Sequence, residues 1–535
     1  MPLTSRGPMS SARTHLPSVR KPRELQGASQ AETQLSLFAG IDGKALPKPS
    51  PQTLEQSDEG IVPKIAAKTW VTPVESKEGG PEAEGNAADG RYPHRTQIRG
   101  SVDAVIARIG HAAKSRKEIR FTNLTCHLKR SLLSVAYRSL NSKAACGVDR
   151  VSWEAYGVGL SERLQRLEDR IHRGSYKALP VRRVFIPKGD GRMRPLGIPA
   201  LEDKIVQQAV RMLLEPIYEA TFLPFSHGFR PERGPLGAVK ALHQALTTRR
   251  IGYLLDADIQ AFFDSVDHAK LLAFIERKIG DPRILRLIAA WLKAGVMTEQ
   301  GFEKTEVGTP QGGIISPLLA NIYLHYVLDV HVANWRKQAA HGQIIVVRYA
   351  DDFVIGAQKE RDIRWLHEAL QRRFSDHGLT LHPKKTKVIE FGRSAHRRRR
   401  RRGEGGQPAT FDFLGFTHIS QQAGPGRPCK LLHITSRKKR NAKLKTIRAE
   451  LRLKRHFSLE DQHRWLCAVL RGHANYYGVA GNSRRLNAFR WEVSRAWISS
   501  LRRRSQRGRR LDVEWLFERY PIPQMRIVHQ FEQAA

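Results

Sequence analysis

The sequence predicts an α+β protein with a disordered tail at its N-terminus. Three observations carry that prediction. Ile344 to Gly356 sets two β-branched apolar runs around the adjacent pair Asp351-Asp352, the pattern of a β-hairpin with carboxylates at its tip. Ile205, Ala209 and Leu213 recur at helix spacing with Val206 and Val210 beside them, which is an amphipathic helix. From about residue 435 the chain becomes basic and helical.

Composition narrows the partner. The chain has 535 residues and a formal net charge of +40, with a pI near 10.6. So large an excess repels itself, and a polyanion such as RNA or DNA relieves it. Binding of that kind should weaken steeply with salt. Hydrophobic residues make up 40% of the chain, enough for a sizeable core. The cysteines, Cys126, Cys146, Cys429 and Cys467, are too far apart for a paired metal knuckle or a disulfide framework, which fits a reducing cytoplasmic setting. No signal peptide and no membrane span are read.

Taken in order, residues 1–95 are rich in Ser, Pro, Gly, Gln and charge, without apolar periodicity, and read as disordered. Val102, Val105, Ile106 and Ile109 begin a helical region. Ile186 to Pro199 reads as a strand, a Gly189-Asp190-Gly191 turn and a second strand, with Lys188, Arg192 and Arg194 around the turn. Such a hairpin suits a triphosphate; a basic surface hairpin has the same pattern. The helix from Asp203 is expected to end at Pro216.

Tyr253 to His268 reads as a strand entering a polar turn and a helix, with four aspartates close together. Asp258 follows the apolar strand directly and is the candidate to face the Asp351-Asp352 tip, while Asp264 and Asp267 suit capping of the next helix. Pro310-Gln311-Gly312-Gly313 is a Gly-rich turn opening a helix, and such a turn admits close approach of a phosphate or base. Leu379 to Phe391 reads as strand, basic turn and strand, and Phe411 to Phe416 as one short strand. Arg397 to Arg402 are consecutive arginines, expected to stay solvated in a loop and to meet phosphates. Lys438, Lys439 and Arg440 open a cation-rich helix. Tyr476 and Tyr477 end another, and Phe489, Trp491 and Trp497 lie among arginines. Aromatics interleaved with cations suit RNA on one face and core on the other.

Adjacent carboxylates between buried strands repel, and a hard cation relieves them. Mg²⁺ binds through one or two carboxylates and substrate phosphates. A pair of such ions, about 3.5–4 Å apart, would clamp the attacking and leaving oxygens of a phosphoryl transfer. A solvated surface turn would carry the same Asp-Asp pair, and the neighbouring blocks decide between them.

Those blocks, in order, are Gly147-Val148-Asp149, Ile186 to Pro199, Phe225 to Arg230, Asp258 to Asp264, Pro310 to Gly313, Tyr349-Ala350-Asp351-Asp352, Leu379 to Lys387, Phe413 to Phe416 and Gly472 to Tyr477. The series resembles the bacterial group II intron-encoded reverse transcriptases and maturases. The resemblance implies a right-hand polymerase: fingers with an N-terminal extension over 96–250, a palm over 251–425, a helical thumb and maturase domain over 435–500 and a basic DNA-binding region over 501–535. It implies that Asp258, Asp351 and Asp352 hold two Mg²⁺ ions. Lys188 and Arg194 match cations that contact the dNTP triphosphate, Phe263 the residue beneath the sugar, Gln311 a lining residue and Lys385 a basic residue near the triphosphate. Arg397, Arg398, Arg399, Lys438, Lys439, Arg440, Tyr476 and Tyr477 are the expected nucleic-acid contacts. The implied partners are group II intron RNA, target DNA and dNTPs, with splicing assistance and copying of the intron during retrohoming. Many relatives carry a C-terminal nuclease with paired cysteines and histidines; no cysteine follows Cys467, so none is expected here. The alternatives are a splicing factor with secondary or lost polymerisation, and a reverse transcriptase domesticated for host defence.

Overall fold

The computed structural model describes residues 95–187, 193–298, 301–304, 307–308, 312–422 and 429–531. The expected tail before residue 95, the hairpin tip with Lys188 and Arg192, and Gln311 lie outside the described residues. Helix and sheet are mixed, as expected.

Strands β1 (Val181–Pro187), β2 (Met193–Ile198), β3 (Tyr253–Asp258), β4 (Val296–Thr298), β5 (Gly301–Glu303) and β6 (Ile344–Tyr349) are followed by β7 (Asp352–Ala357), β8 (Lys387–Glu390), β9 (Phe411–Phe413), β10 (Phe416–Gln422) and β11 (Cys429–Thr435). They form three sheets, ordered β2-β1-β4-β5, β6-β7-β3-β8 and β11-β10-β9. In the second, β6, β3 and β8 each run antiparallel to the strand they pair with.

That second sheet is covered on both faces. Tyr253, Leu255, Ile344, Val346, Phe353 and Ile355 enter the main core, joined by Ile363, Leu366, Leu370 and Phe374 of the helix Glu360–Asp376. Leu254, Ile345, Val347 and Val354 face the other way, against Ala238, Leu242 and Ala245 of the helix Pro235–Thr248 and against Phe391, Phe411 and Phe413. Burial on both sides explains why β6 and β7 are near-continuous apolar runs rather than alternating ones.

Four local expectations change. The helix that begins at Leu201 continues through Pro216 to Glu219. Leu213, Leu214, Ile217 and Tyr218 are buried on both sides of the proline, and that packing offsets the roughly 3 kcal/mol a proline costs inside a helix. Phe411 to Phe416 is two strands, because Leu414 and Gly415 both take positive φ and turn the chain into the β9–β10 hairpin. In Leu379 to Phe391 only β8 is a strand; Leu381 makes a single bridge to Ile259. The arginine run is not a loop but part of the helix Gly392–Arg401. Its repulsion is met by pairing: Arg398 and Arg402 reach Glu390, Arg399 and Arg402 reach Glu404, and the Arg398 guanidinium lies 4.2 Å from the Tyr253 ring centre.

From Ser436 the chain is helical, with Arg437–Leu453, Leu459–Tyr477 and Ser483–Arg502 packed around Leu444, Leu466, Phe489, Val493 and Trp497. The C-terminal segment returns to the body: Val528 N donates to Gly478 O, and Phe531 packs on His243 and His433.

Those two histidines belong to a buried chain. His418 Nε2 lies 3.4 Å from Phe413 O, His433 Nδ1 lies 2.7 Å from His418 Nδ1, and His243 Nδ1 lies 2.8 Å from His433 Nε2. One neutral tautomer set satisfies it: His418 donates from Nε2, and His433 and His243 donate from Nδ1. A proton added to His418 or His433 sets donor against donor. Burial pushes His418 down to about 4 and lowers His433 and His243. The unfolded imidazoles take up protons near 6.5, so the unfolded chain holds more protons between those values and the histidine contribution is lost as pH falls. The stability advantage of the wild type over His418→Phe is therefore expected to shrink by about 2–3 kcal/mol between pH 7 and pH 4.5. Paired thermal melts check it, and an unchanged difference would count against the buried neutral chain.

Candidate active site

The site is built where β3 ends beside the start of β7. Their antiparallel register sets Asp258 directly opposite Asp352. Directly opposed residues share a face, with Cβ atoms about 4.5–5.5 Å apart. Asp256, two residues earlier in β3, lies on the same face. β6 and β7 form a tight hairpin in which Tyr349 pairs with Asp352, leaving Ala350 and Asp351 as the turn. Ala350 takes φ 57, a left-handed conformation that a non-glycine residue adopts at a cost.

Burial and mutual repulsion dominate the electrostatics. Asp352 is pushed up to about 8, first by burial and then by Asp256, Asp258 and Asp351. Asp351 is raised by burial and by Asp258, against the opposing pull of Arg194 and Lys385. Asp256 is pushed up to about 7 by burial, Asp412 and Asp258, with Lys387 opposing. The Lys385 ammonium sits 2.5 Å from Asp258 Oδ2. Among the described residues no three side chains already converge as a cage for a metal ion. Mg²⁺ does not require one, since it takes one or two carboxylates and completes its shell with water and phosphate. Opposed, partly buried carboxylates that lack enough positive charge fit such a cation.

A family model described as reverse transcriptase (RNA-dependent DNA polymerase) matches residues 186–418. Protein YkfC of Escherichia coli K12 is 37% identical over 254 residues, covering 42% of this chain and 67% of that protein. The group II intron-encoded protein LtrA of Lactococcus lactis is 39% identical over 224 residues, 42% of this chain and 37% of LtrA. This chain belongs to the group II intron reverse transcriptase and maturase family. The nuclear intron maturase 4 of Arabidopsis thaliana is also similar, 30% identical over 131 residues, covering 24% of this chain and 16% of that protein. The chain thus spans about two thirds of YkfC and little more than a third of LtrA.

In this reverse transcriptase the hairpin tip is held from below by Arg348, fully buried in β6. Its guanidinium grips Asp329 through two bonds of 2.7 and 2.6 Å and donates to Asn321 Oδ1, Ser226 Oγ and, at 3.0 Å, to the turn carbonyl of Ala350. Asp329 ends a short π-helical stretch, His325–Asp329. The Phe225–Arg230 loop clamps the same strand: His227 N donates to Arg348 O and Arg348 N to Phe225 O. A Cβ on Gly228 would come within 2.3 Å of Ala350 N, so only glycine lets this loop lie against the turn. Sequence reasoning missed this support, although a lone arginine inside a buried apolar strand was a signal for it. It also left Asp256 without a role.

The other candidates fall at different distances from the tip. Arg194, exposed on β2, acts on Asp351. Gly312, at φ 120, lies against the Gly197 carbonyl of β2, in the same hairpin as Arg194. Phe263 is half-buried in the helical turn Phe262–Ser265 that follows β3, edge-on to Phe262. Lys385 reaches Asp258 because Gln260 and His382 bond to Thr380 O and Asp258 O, aligning the two segments. Asp267 caps the next helix by accepting from Lys270 N, as expected.

The nucleic-acid candidates divide. Arg397 is exposed, whereas Arg398 and Arg399 are held by Glu390, Gly252 O, Glu404 and Gly405 O. Lys438 and Lys439 are exposed and Arg440 reaches toward Glu492. Tyr476 donates to Leu414 O, and Tyr477 packs on Phe416 and His473, so both rings are engaged within the fold.

Proposed function

We propose that this protein is an RNA-directed DNA polymerase that binds group II intron RNA, assists its splicing and copies it into DNA. The observation that carries the reading is the register of Asp258 against Asp352, with Asp351 at the adjoining turn and Arg194 acting on it. Divalent cations, two Mg²⁺ ions in this reading, would be held by Asp258, Asp351 and Asp352 and would supply charge neutralisation and a more nucleophilic primer 3′-hydroxyl.

The chain's own residues do the rest. Arg194 and Lys385, with Lys188, orient the triphosphate so that its α-phosphorus lies in line with the primer oxygen. The 3′-hydroxyl gives its proton to water as its oxygen forms the new bond to the α-phosphorus, the α–β P–O bond breaks to release pyrophosphate, and Arg194 and Lys385 offset the charge on that leaving group. Phe263 is assigned the role of rejecting a 2′-hydroxyl beneath the sugar, and Gln311 a contact to the incoming nucleotide. The β6-β7-β3-β8 sheet is assigned to the palm within 251–425, the β1–β2 hairpin to fingers within 96–250 and the helices of 435–500 to a thumb and maturase domain. Residues 501–535 are assigned to target DNA.

Lys438 and Lys439 support the RNA assignment. They stand in the first turn of the helix Arg437–Leu453, whose dipole is already positive there. Cations at that end oppose the helix, so an anionic partner is the better account of them. No helix among the described residues is long and apolar enough to cross a membrane. The free thiols of Cys126, Cys146, Cys429 and Cys467 suit the cytoplasm, where we place the protein.

Primer extension on an RNA template with Mg²⁺ and dNTPs tests the reading. A cDNA ladder is expected, and a complete lack of extension would overturn it. Phe263→Ala is expected to raise ribonucleotide incorporation by about ten- to a hundredfold relative to dNTPs. Unchanged sugar discrimination in the same assay would remove Phe263 from that role.

A further inference from the structure

The helices Arg437–Leu453 and Ser483–Arg502 leave a groove of about 440 Å³ between them, lined by none of the site aspartates. Arg448, Arg452, Arg455, Arg495 and Arg503 line it, with Glu492 the acidic member of the lining. Glu492 lies 3.9 Å from both Arg440 and Arg448, and its single charge does not neutralise the five arginines of the lining. Arg455 Nε is buried without a hydrogen-bond partner in the fold.

The aromatic side chain of the lining is Trp491. Neighbouring Phe489 and Trp497 are fully buried, yet Trp491 is 59% exposed. The Arg495 guanidinium lies 4.6 Å from its ring centre. An indole of that size left in water beside cations is a stacking platform with one side already occupied.

We propose that this groove binds one unpaired nucleotide of single-stranded RNA, its base stacked on Trp491 and its flanking phosphates on the surrounding arginines. The inference rests on the RNA-binding reading and deepens it. The volume suits a single nucleotide, and two packed helices about 8–10 Å apart leave no room for a duplex. A duplex also hides the base faces that make the indole useful, whereas every unpaired base offers one. An acidic peptide would satisfy the arginines but leave Trp491 in water, so RNA is the better fit.

The test uses the full-length protein with an unstructured RNA oligonucleotide carrying 2-aminopurine or 4-thiouridine. Wild type is expected to quench the 2-aminopurine and to crosslink through the peptide containing Trp491. Trp491→Leu, at an exposed position, is expected to keep the wild-type melt, lose the quenching and bind the single strand about 5- to 100-fold more weakly. Binding of duplex RNA should change less than twofold. Arg452→Gln should weaken the single strand and lower the salt slope of its binding by about one. Single-strand affinity and quenching unaltered by Trp491→Leu would overturn the inference, as would equally effective competition by a polyglutamate of matched charge. Primer extension by the same preparations separates the two readings. If extension persists while Trp491→Leu leaves RNA binding unaltered, this inference alone fails; if wild type neither extends nor binds RNA, the function reading fails with it.

Discussion

Asp351→Ala is expected to lower cDNA synthesis by at least about 10³-fold while leaving RNA affinity within about twofold. Asp351 supplies the carboxylate of the turn itself, whereas Asp258 and Asp352 are set opposite each other by the β3–β7 pairing. The loss should not come from unfolding. Burial and Asp258 raise the Asp351 carboxyl, so its charge at neutral pH is a cost to the folded state, and removing it should leave the melt unchanged or raise it. Primer extension, a filter-binding curve and a melt on one preparation separate these effects. Equal loss of extension and RNA binding would argue that the aspartate supports the fold or the RNA surface rather than the chemistry.

Arg348→Met should give the largest loss of stability of any single change considered, about 3–5 kcal/mol. Both Arg348 and Asp329 are fully buried, and removing the arginine leaves a carboxylate in the interior with no opposite charge. Asn321 Oδ1 and Ser226 Oγ would lose a donor in the same step. The double variant Arg348→Met/Asp329→Leu removes the pair together and is expected to recover much of that stability, since an apolar replacement of both partners leaves no orphaned charge. It should not recover activity to the same degree, because the bond from Arg348 to Ala350 O, which holds the aspartate turn, is still missing. Thermal melts and primer extension on the two variants check both parts. A double variant no more stable than Arg348→Met would show that the pair is not the source of the stability.

Much of the site could be read along the chain, because hairpins and helices advertise their period locally. The Asp351-Asp352 tip, the strand ending at Asp258 and the Asp267 cap all follow from neighbours within a few residues. Legibility failed where a residue answers to a distant partner. The arginine run looked like a repelling loop because Glu390 and Glu404, which pair with it, lie outside the run. Pro216 looked like a helix end because the packing that carries the helix past it comes from other elements. Phe489, Trp491 and Trp497 looked alike, and only the packing of two helices buried two of them and left Trp491 beside the arginines.

By itself the amino-acid order determined the β6–β7 hairpin, the strand that ends at Asp258 and the amphipathic helix from Leu201, and it set an acidic pair at the hairpin's tip. The tertiary structure decided that Asp258 lies opposite that turn, that Arg348 is buried beneath it and that Gly228 lets a loop close over it. The division has a physical cause: period and turn chemistry are properties of adjacent residues, whereas register, burial and charge pairing arise only when segments far apart in the chain exclude water from one another.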